Sequence, residues 1–334
     1  MREVGTDALN SISTPTVTIG RIRPGRGTAI ADFLFRGITR VAALLVLALM
    51  AGILVVLFIQ AWPALHHFGW KFFTGTDWDP VNVVFSAMPS IYGTVVTSVI
   101  AMVIAVPVSF GIALFITQLA PAWLRRPVST AIELLAAIPS IIYGMWGLFV
   151  FAPLFSYIQP WITDHIGDWP IIGGLFQGPP MGIGIFSAGL ILAIMVIPFI
   201  SSVMRDVFDL VPTVLKESAY GVGCTTWEVV WHVVLPYTRI GVVGGIMLGL
   251  GRALGETMAV TFIIGNSHTI GESLFMPGNT ISSTLANEFT EAIGSMYTSS
   301  LIALGLILFF ITFVVLAFAK LLLLRIGARE GSKG

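Results

Sequence analysis

Residues 250–260 read LGRALGETMAV and place Arg252 and Glu256 inside an apolar run that extends from about residue 240 to about residue 264. Arg252 offers a permanent cation and a planar fork of N–H donors that suits phosphate or carboxylate oxygens. A charge at bilayer depth costs roughly 2.5–3.5 kcal/mol even on the lenient insertion scale. If the run is a single helix, Arg252 and Glu256 lie four residues apart and can pair along it. Such a pair either neutralises itself as a structural element or works on something that passes. Buried pairs rarely outperform apolar replacements, and intramembrane charges are functional by default. The pattern therefore favours a functional role over a self-neutralising pair.

The same helix would carry Gly241, Gly245, Gly249, Arg252 and Glu256 in one stripe, at steps of four, four, three and four, with Gly251 and Gly255 beside it. Small residues let membrane helices approach closely, so both charges are expected to face a helix neighbour or a water-filled path. A second candidate face lies in the third apolar run, where Glu133, Ala136, Ala137, Ser140 and Gly144 share one small, polar side. Thr130-x-x-Glu133 also reads as a capping box at a helix start, so a structural role for Glu133 competes with a place for Glu133 and Ser140 in a path. His66 and His67 read as interface groups rather than metal ligands. There is no H-E-x-x-H and no recognisable nucleophile triad.

Residues 211–236, VPTVLKESAYGVGCTTWEVVWHVVLP, form a different kind of element. The pattern predicts a short helix over 213–220, ended by Gly221 and Gly223. Thr225-x-x-Glu228 then opens a second helix as a capping box, and Pro236 closes it. Trp227 and Trp231 fall on one face of that second helix, with Val230 and Val234 alongside. This hook is either a partner site or a helical pair resting on headgroups.

These segments need a scaffold, and composition says which kind. The 334 residues are 56% hydrophobic and 10% charged, with mean hydropathy +0.93. Soluble domains carry about 25% charge, so the chain reads as an all-α integral membrane protein. Net charge is zero, which gives no sign of nucleic-acid binding. The single cysteine, Cys224, excludes an intrachain disulfide. No signal peptide is expected, because the first apolar run is too long for a cleavable one. Six runs can cross a bilayer: near 38–62, 91–119, 130–154, 185–207, 240–265 and 299–324. Pro107, Pro139 and Pro198 are expected to kink their helices. Of the seventeen basic residues, Lys71 alone falls on the side opposite the hook, apart from Arg252 within a span. Both termini are therefore expected to be cytoplasmic. Residues 1–28 read as a mobile tail ahead of a permease domain over 29–334, and 29–40 as a short surface helix. Trp70, Trp78, Trp161 and Trp169 lie in outer loops and suit the interfacial belt.

Glu217-Ser218-Ala219, Gly223 and Val233-Val234-Leu235-Pro236 resemble the E-A-A-x3-G-x9-I-x-L-P signature of bacterial ABC-importer permeases. Ser218 stands for the first Ala and Val233 for Ile. The resemblance implies a type I importer fold with the hook as the coupling helix. Glu217 and Gly223 would carry the contact with a cytoplasmic ATPase, and Ala219, Thr225, Glu228, Leu235 and Pro236 would complete the element. GRALGETMAV, together with LAAIPSIIYG at 135–144, is similar to the phosphate-specific members, the PstC type. That similarity implies that Arg252 and Glu256 are needed for passage of inorganic phosphate. It also implies partners: a homologous second permease (PstA-like), two ATP-binding subunits that hold ATP and magnesium, and an external phosphate-binding protein. The chain has no G-x-x-x-x-G-K-[ST], so it is expected to bind no nucleotide and no cofactor itself and to be no enzyme. The resulting expectation is a multi-pass permease subunit of the bacterial inner membrane, in contact with lipid. In it Arg252 exchanges phosphate for Glu256 as the path empties, driven through the hook. A permease for sulfate or molybdate, a gradient-driven anion transporter and a non-transporting scaffold remain alternatives.

Overall fold

A computed structural model describes residues 26–170 and 173–331. Most of the sequence read as a tail, residues 1–25, lies outside them. Among the described residues the chain is helical, with one isolated bridge between Asp79 and Val84 and no strand. The chain divides into two compact units, one ending at Leu54 and one beginning at Val55.

In the first unit lies most of helix α1 (Arg26–Phe68), which continues into the second. It runs unbroken through the residues expected to form a separate surface helix. No Gly–Pro or capping signal interrupts the apolar sequence there, so the helix has no reason to stop.

The second unit continues with α2 (Lys71–Thr74), α3 (Met88–Leu114), α4 (Ala122–Ala136), α5 (Ser140–Trp146), α6 (Ala152–Ile166) and α7 (Ile185–Asp209). After α7 come α8 (Thr213–Gly221), α9 (Thr226–Val229), α10 (Leu235–Leu254), α11 (Met258–Thr261), α12 (Ile281–Glu288) and α13 (Ser295–Gly331). Wide, π-type turns at Phe115–Leu119, Gly147–Phe151 and Val230–Val234 extend α3, join α5 to α6 and join α9 to α10. Six helical runs among the described residues are long and apolar enough to cross a membrane: Ile30–Phe68, Met88–Leu119, Ser140–Ile166, Ile185–Asp209, Thr226–Leu254 and Ser295–Leu321.

Besides the longer first span, two of these start well away from the expected boundaries, and a proline bears on both. The third span starts at Ser140, not near residue 130. Pro139 is extended and stands just ahead of α5, and the residue before a proline is pushed out of the helical region. The polypeptide therefore breaks between α4 and α5 instead of kinking, and Tyr143 Oη closes the gap by donating to the Leu135 carbonyl at 2.9 Å. Thr130 falls within α4, so it does not cap Glu133. The fifth span starts earlier than expected, at Thr226. Pro236 sits in the first turn of α10, where its missing N–H costs little, and the helix continues through it. Pro107 and Pro198 lie inside α3 and α7 as expected.

Helix α7 is the buried centre. Ile191, Leu192, Val196, Ile200, Met204 and Phe208 along it are fully covered. Glycines set how closely its neighbours approach. A methyl group on Gly189 would sit 2.6 Å from Ile100 on α3. On α10, methyl groups on Gly241 and Gly249 would lie 2.5 Å from Val207 and Ile200, and one on Gly245 would lie 3.1 Å from Val203. The glycine stripe read from sequence is thus the surface on which α10 docks against α7.

A second cluster gathers the segments around α12. Glu288 accepts hydrogen bonds from Trp78 Nε1 at 2.9 Å, Tyr297 Oη at 2.7 Å and His268 Nε2 at 2.5 Å. Trp78 stacks on His268 with centroids 5.3 Å apart. It is buried, unlike the interfacial anchor expected, because its indole N–H has an acceptor inside. Ser90 and Thr94 of α3 bind Thr284 and the Ile281 amide. Gly93 permits this approach, since a methyl group there would collide with the Asn279 carbonyl at 1.8 Å. Burial pushes the Glu288 carboxyl up, but the bonds from His268, Tyr297 and Trp78 outweigh it and hold the group below its ordinary value.

Two expectations follow. Gly93→Ala should lower the midpoint of thermal unfolding in detergent, by the equivalent of about 1–3 kcal/mol for overpacking; an unchanged midpoint would mean that α12 does not press on α3. Glu288, with its folded value depressed, contributes stability above its unfolded value of about 4.3, and that contribution is lost as pH falls through the lower folded value. Acid scans of the wild type should therefore show a steeper drop in unfolding midpoint below about pH 4 than scans of Glu288→Gln, which should already be less stable at neutral pH.

Candidate functional site

The site is built where α10 ends. The glycine stripe presses α10 onto α7, and Arg252 in the last turn of α10 reaches the same helix one step further on. Its guanidinium carbon stands 5.5 Å from the centre of the Phe199 ring, a cation–π distance. Among the described residues, Arg252 Nε is buried with no hydrogen-bond partner, and no carboxylate forms an ion pair with Arg252. Tyr143, buried on α5, lies within electrostatic range of its charge.

Glu256 is not that missing partner. The fifth span does not continue to residue 265 as one helix: α10 stops at Leu254, Gly255 and Glu256 form a break, and α11 resumes at Met258. Glu256 Oε1 instead accepts from the Ala259 amide at 3.3 Å, at the start of α11. A free amide at a helix start takes a carboxylate readily, and this local bond competes with the pairing expected from i, i+4 spacing. No side chain crowds Gly255, where an added methyl group would meet only the Gly251 carbonyl, at 3.6 Å.

Ser140 keeps the place expected of it relative to Gly144, one turn along α5. A methyl group on Gly144 would lie 3.0 Å from the Met258 carbonyl and 2.9 Å from Phe262. The small face of α5 is therefore packed on α11, next to the break that carries Glu256. Glu133 is elsewhere. It lies on α4, outside the six spans, with its side chain 57% exposed, and it pairs at 2.9 Å with Arg205. The sequence-predicted site thus divides. Arg252, Glu256 and Ser140 border the junction of α5, α10 and α11, whereas Glu133 ties α4 to α7.

Phe199 and Tyr143 were missed by sequence reasoning. Both are aromatic residues in apolar runs, and nothing in their spacing sets them apart from core residues. The helix break was legible in principle. Gly255 follows Leu254 as a helix-ending glycine, and Thr257 precedes the apolar residues of α11.

The hook follows the C-terminal end of α7. α8 ends at Gly221, and Gly223 takes φ +93°, a conformation that favours glycine. Thr225 Oγ1 accepts from the Glu228 amide, and Glu228 Oε2 accepts from the Thr225 amide at 2.7 Å, completing the capping box. Glu217 and Gly223 are exposed, whereas Ala219 and Leu235 pack against the core around α7. Trp227 and Trp231 meet edge to face at 5.3 Å and stay exposed, while Val230 and Val234 are buried. The element therefore has an anchored inner side and an open aromatic outer side.

The family described as binding-protein-dependent transport system inner membrane component matches residues 105–327. The phosphate transport system permease protein PstC of Mesorhizobium japonicum is 59% identical over 95% of this chain and 98% of its own. PstC of Mycobacterium leprae is 42% identical over 80% of this chain and 85% of its own. Among solved structures, a bacterial ABC transporter that imports the acidic polysaccharide alginate aligns with TM-score 0.54 at 17% identity, covering 87% of this chain and 98% of that one. That likeness is one of fold.

The two hook glycines should respond differently to substitution. Gly223→Ala is expected to lower the unfolding midpoint by the equivalent of about 1 kcal/mol, because of its positive φ. Gly221→Ala, helical and with open space around it, should leave the midpoint unchanged or raise it slightly. Equal effects at the two positions would contradict the bend described.

Proposed function

The chain belongs to the family of binding-protein-dependent transport system inner membrane components and, within it, to the PstC phosphate permeases; on that footing we propose that it is the multi-pass permease subunit of an ATP-driven inorganic phosphate importer and forms half of its translocation path. The observation that carries the reading is Arg252: a guanidinium at the end of a spanning helix, held over an aromatic ring, with a buried donor that no group among the described residues satisfies. A charged donor left in that state is expensive, and an oxyanion that accepts from it offsets the cost during passage.

Glu256 then serves release. Passage requires that the anion be held well enough to enter and weakly enough to leave. While the chain is broken at Gly255, Glu256 caps α11 and leaves Arg252 to the substrate. If the break rewinds into continuous helix, residues 252 and 256 come one turn apart, and the carboxylate competes for the guanidinium. Ser140, on the face of α5 that packs against α11, is placed to offer a hydroxyl along the same path. Glu133 acts outside it, as an anchor for α4.

The chain carries no phosphate-cradling P-loop of its own, so in this reading the energy comes from a partner. The hook, with Glu217 and Gly223 exposed and Ala219, Thr225, Glu228, Leu235 and Pro236 fixing its shape, is the proposed contact with a cytoplasmic ATPase. The complete machine in this reading adds a homologous PstA-like permease, two ATP-binding subunits loaded with ATP and magnesium, and an external phosphate-binding protein. The hook and both termini face the cytoplasm.

Phosphate uptake into vesicles containing the assembled complex and internal ATP tests the assignment. Arg252→Gln should reduce uptake at least a hundredfold, on the scale of losing one preorganised charged donor, with the complex still assembled. Glu133→Gln should keep uptake within about twofold, since exposed ion pairs contribute little. Normal uptake by Arg252→Gln would remove the guanidinium from the path, and a collapse with Glu133→Gln alone would place the path along α4. Inhibition of labelled phosphate uptake by sulfate or molybdate at matching concentrations would change the substrate assignment to a broader oxyanion class.

A further inference from the structure

We propose that a cavity at the corner of α4 and α7 binds the headgroup of a zwitterionic phospholipid that carries a phosphate and a primary ammonium, of the phosphoethanolamine class. The cavity measures about 430 Å³ and lies beyond the end of α3, away from Arg252. Its walls include Ile116 from the turn after α3, Arg125, Arg126, Ser129 and Thr130 from α4, and Asp209 from the end of α7. Arg205 and Asp206 also border it, but they are committed. Arg205 pairs with Glu133 at 2.9 Å and with Asp206 at 2.8 Å.

The remaining charges are not committed. Arg125 Nε donates to the Ala120 carbonyl at 2.9 Å, which fixes the side chain and leaves its terminal nitrogens available. Arg126 and Asp209 have no partner among the described residues. Guanidinium groups and a carboxylate thus line one cavity without neutralising each other. A simple anion would satisfy the arginines and be repelled by Asp209, and a simple cation would meet the reverse. A ligand with both signs a few bonds apart satisfies the two together. The arginine forks and the hydroxyls of Ser129 and Thr130 suit phosphate oxygens, and Asp209 suits an ammonium with N–H donors.

Location points to lipid as the source. The cavity lies at the ends of two membrane-spanning helices, where headgroups sit. α4 between them is short and amphipathic, with Trp123 exposed at its start, as suits a helix at the interface. Ile116 supplies an apolar wall towards the acyl chains. Free inorganic phosphate shares the anionic chemistry but lacks the ammonium, so Asp209 disfavours it.

Native mass spectrometry of the purified complex, exchanged into an equimolar mixture of phosphatidylethanolamine, phosphatidylcholine and phosphatidylglycerol of matched acyl chains, tests this. The wild type should retain phosphatidylethanolamine over the other two. Arg126→Gln should lower that retention by about tenfold, the loss of one charge-assisted hydrogen bond. Asp209→Asn should abolish the preference for phosphatidylethanolamine over phosphatidylglycerol. Because this last readout is a ratio within one sample, poor folding cannot imitate it. Added inorganic phosphate should leave the bound lipid in place. Equal retention of the three lipids, an unchanged ratio in Asp209→Asn, or displacement of lipid by inorganic phosphate would each overturn the proposal.

Discussion

The structure depends on how a permanent positive charge can be kept inside an apolar helix bundle. The answer begins with glycine. Gly241, Gly245 and Gly249 let α10 lie against Val207, Val203 and Ile200 of α7, so that Arg252, the next residue in the stripe, meets α7 at Phe199. A larger residue in the stripe would lift the helix end and move the guanidinium off the ring. The cation is therefore positioned by packing that lies entirely on one side of it. Among the described residues no carboxylate pairs with it.

The second constraint is the interruption of helices beside that charge. Pro139 separates α4 from α5, and Gly255 separates α10 from α11. Irregular backbone at membrane depth is tolerated where it is buried in protein or lines a cavity. Here the two breaks flank the α5–α11 contact at Gly144. In the proposed function, rewinding of the break at Gly255 is the two-state element that links movement of the hook to a change at Arg252. The hook is fastened to the body of the protein. Its capping box and the buried Val230 and Val234 hold it to the body, while Trp227 and Trp231 remain open.

Much of this was legible in the residues, and the failures have physical causes. Six apolar runs, the glycine stripe, the Thr225–Glu228 cap and the Gly223 bend follow from periodicity and local backbone preference, and the structure has all of them. The Arg252–Glu256 pair does not form because i, i+4 spacing matters only if the helix persists, and the Ala259 amide offers Glu256 a nearer partner. Glu133 is misplaced by the same kind of error, since one continuous helix across Pro139 would have set it beside Ser140. Trp78 is buried because of Glu288, an acceptor 210 residues away in sequence. Periodicity carries no information about contacts at that range, nor about Phe199 beneath Arg252.

The most direct measurement is dipolar recoupling between phosphate phosphorus and guanidinium nitrogen in the reconstituted complex. It would use nitrogen-labelled arginine and phosphate trapped during turnover. A coupling consistent with hydrogen-bond contact is expected, and it should be absent in Arg252→Lys, which keeps the charge but lacks the labelled guanidinium. A coupling that persists unchanged in Arg252→Lys, or none in a wild-type complex that holds phosphate in its membrane-spanning part, would contradict the role assigned to this arginine.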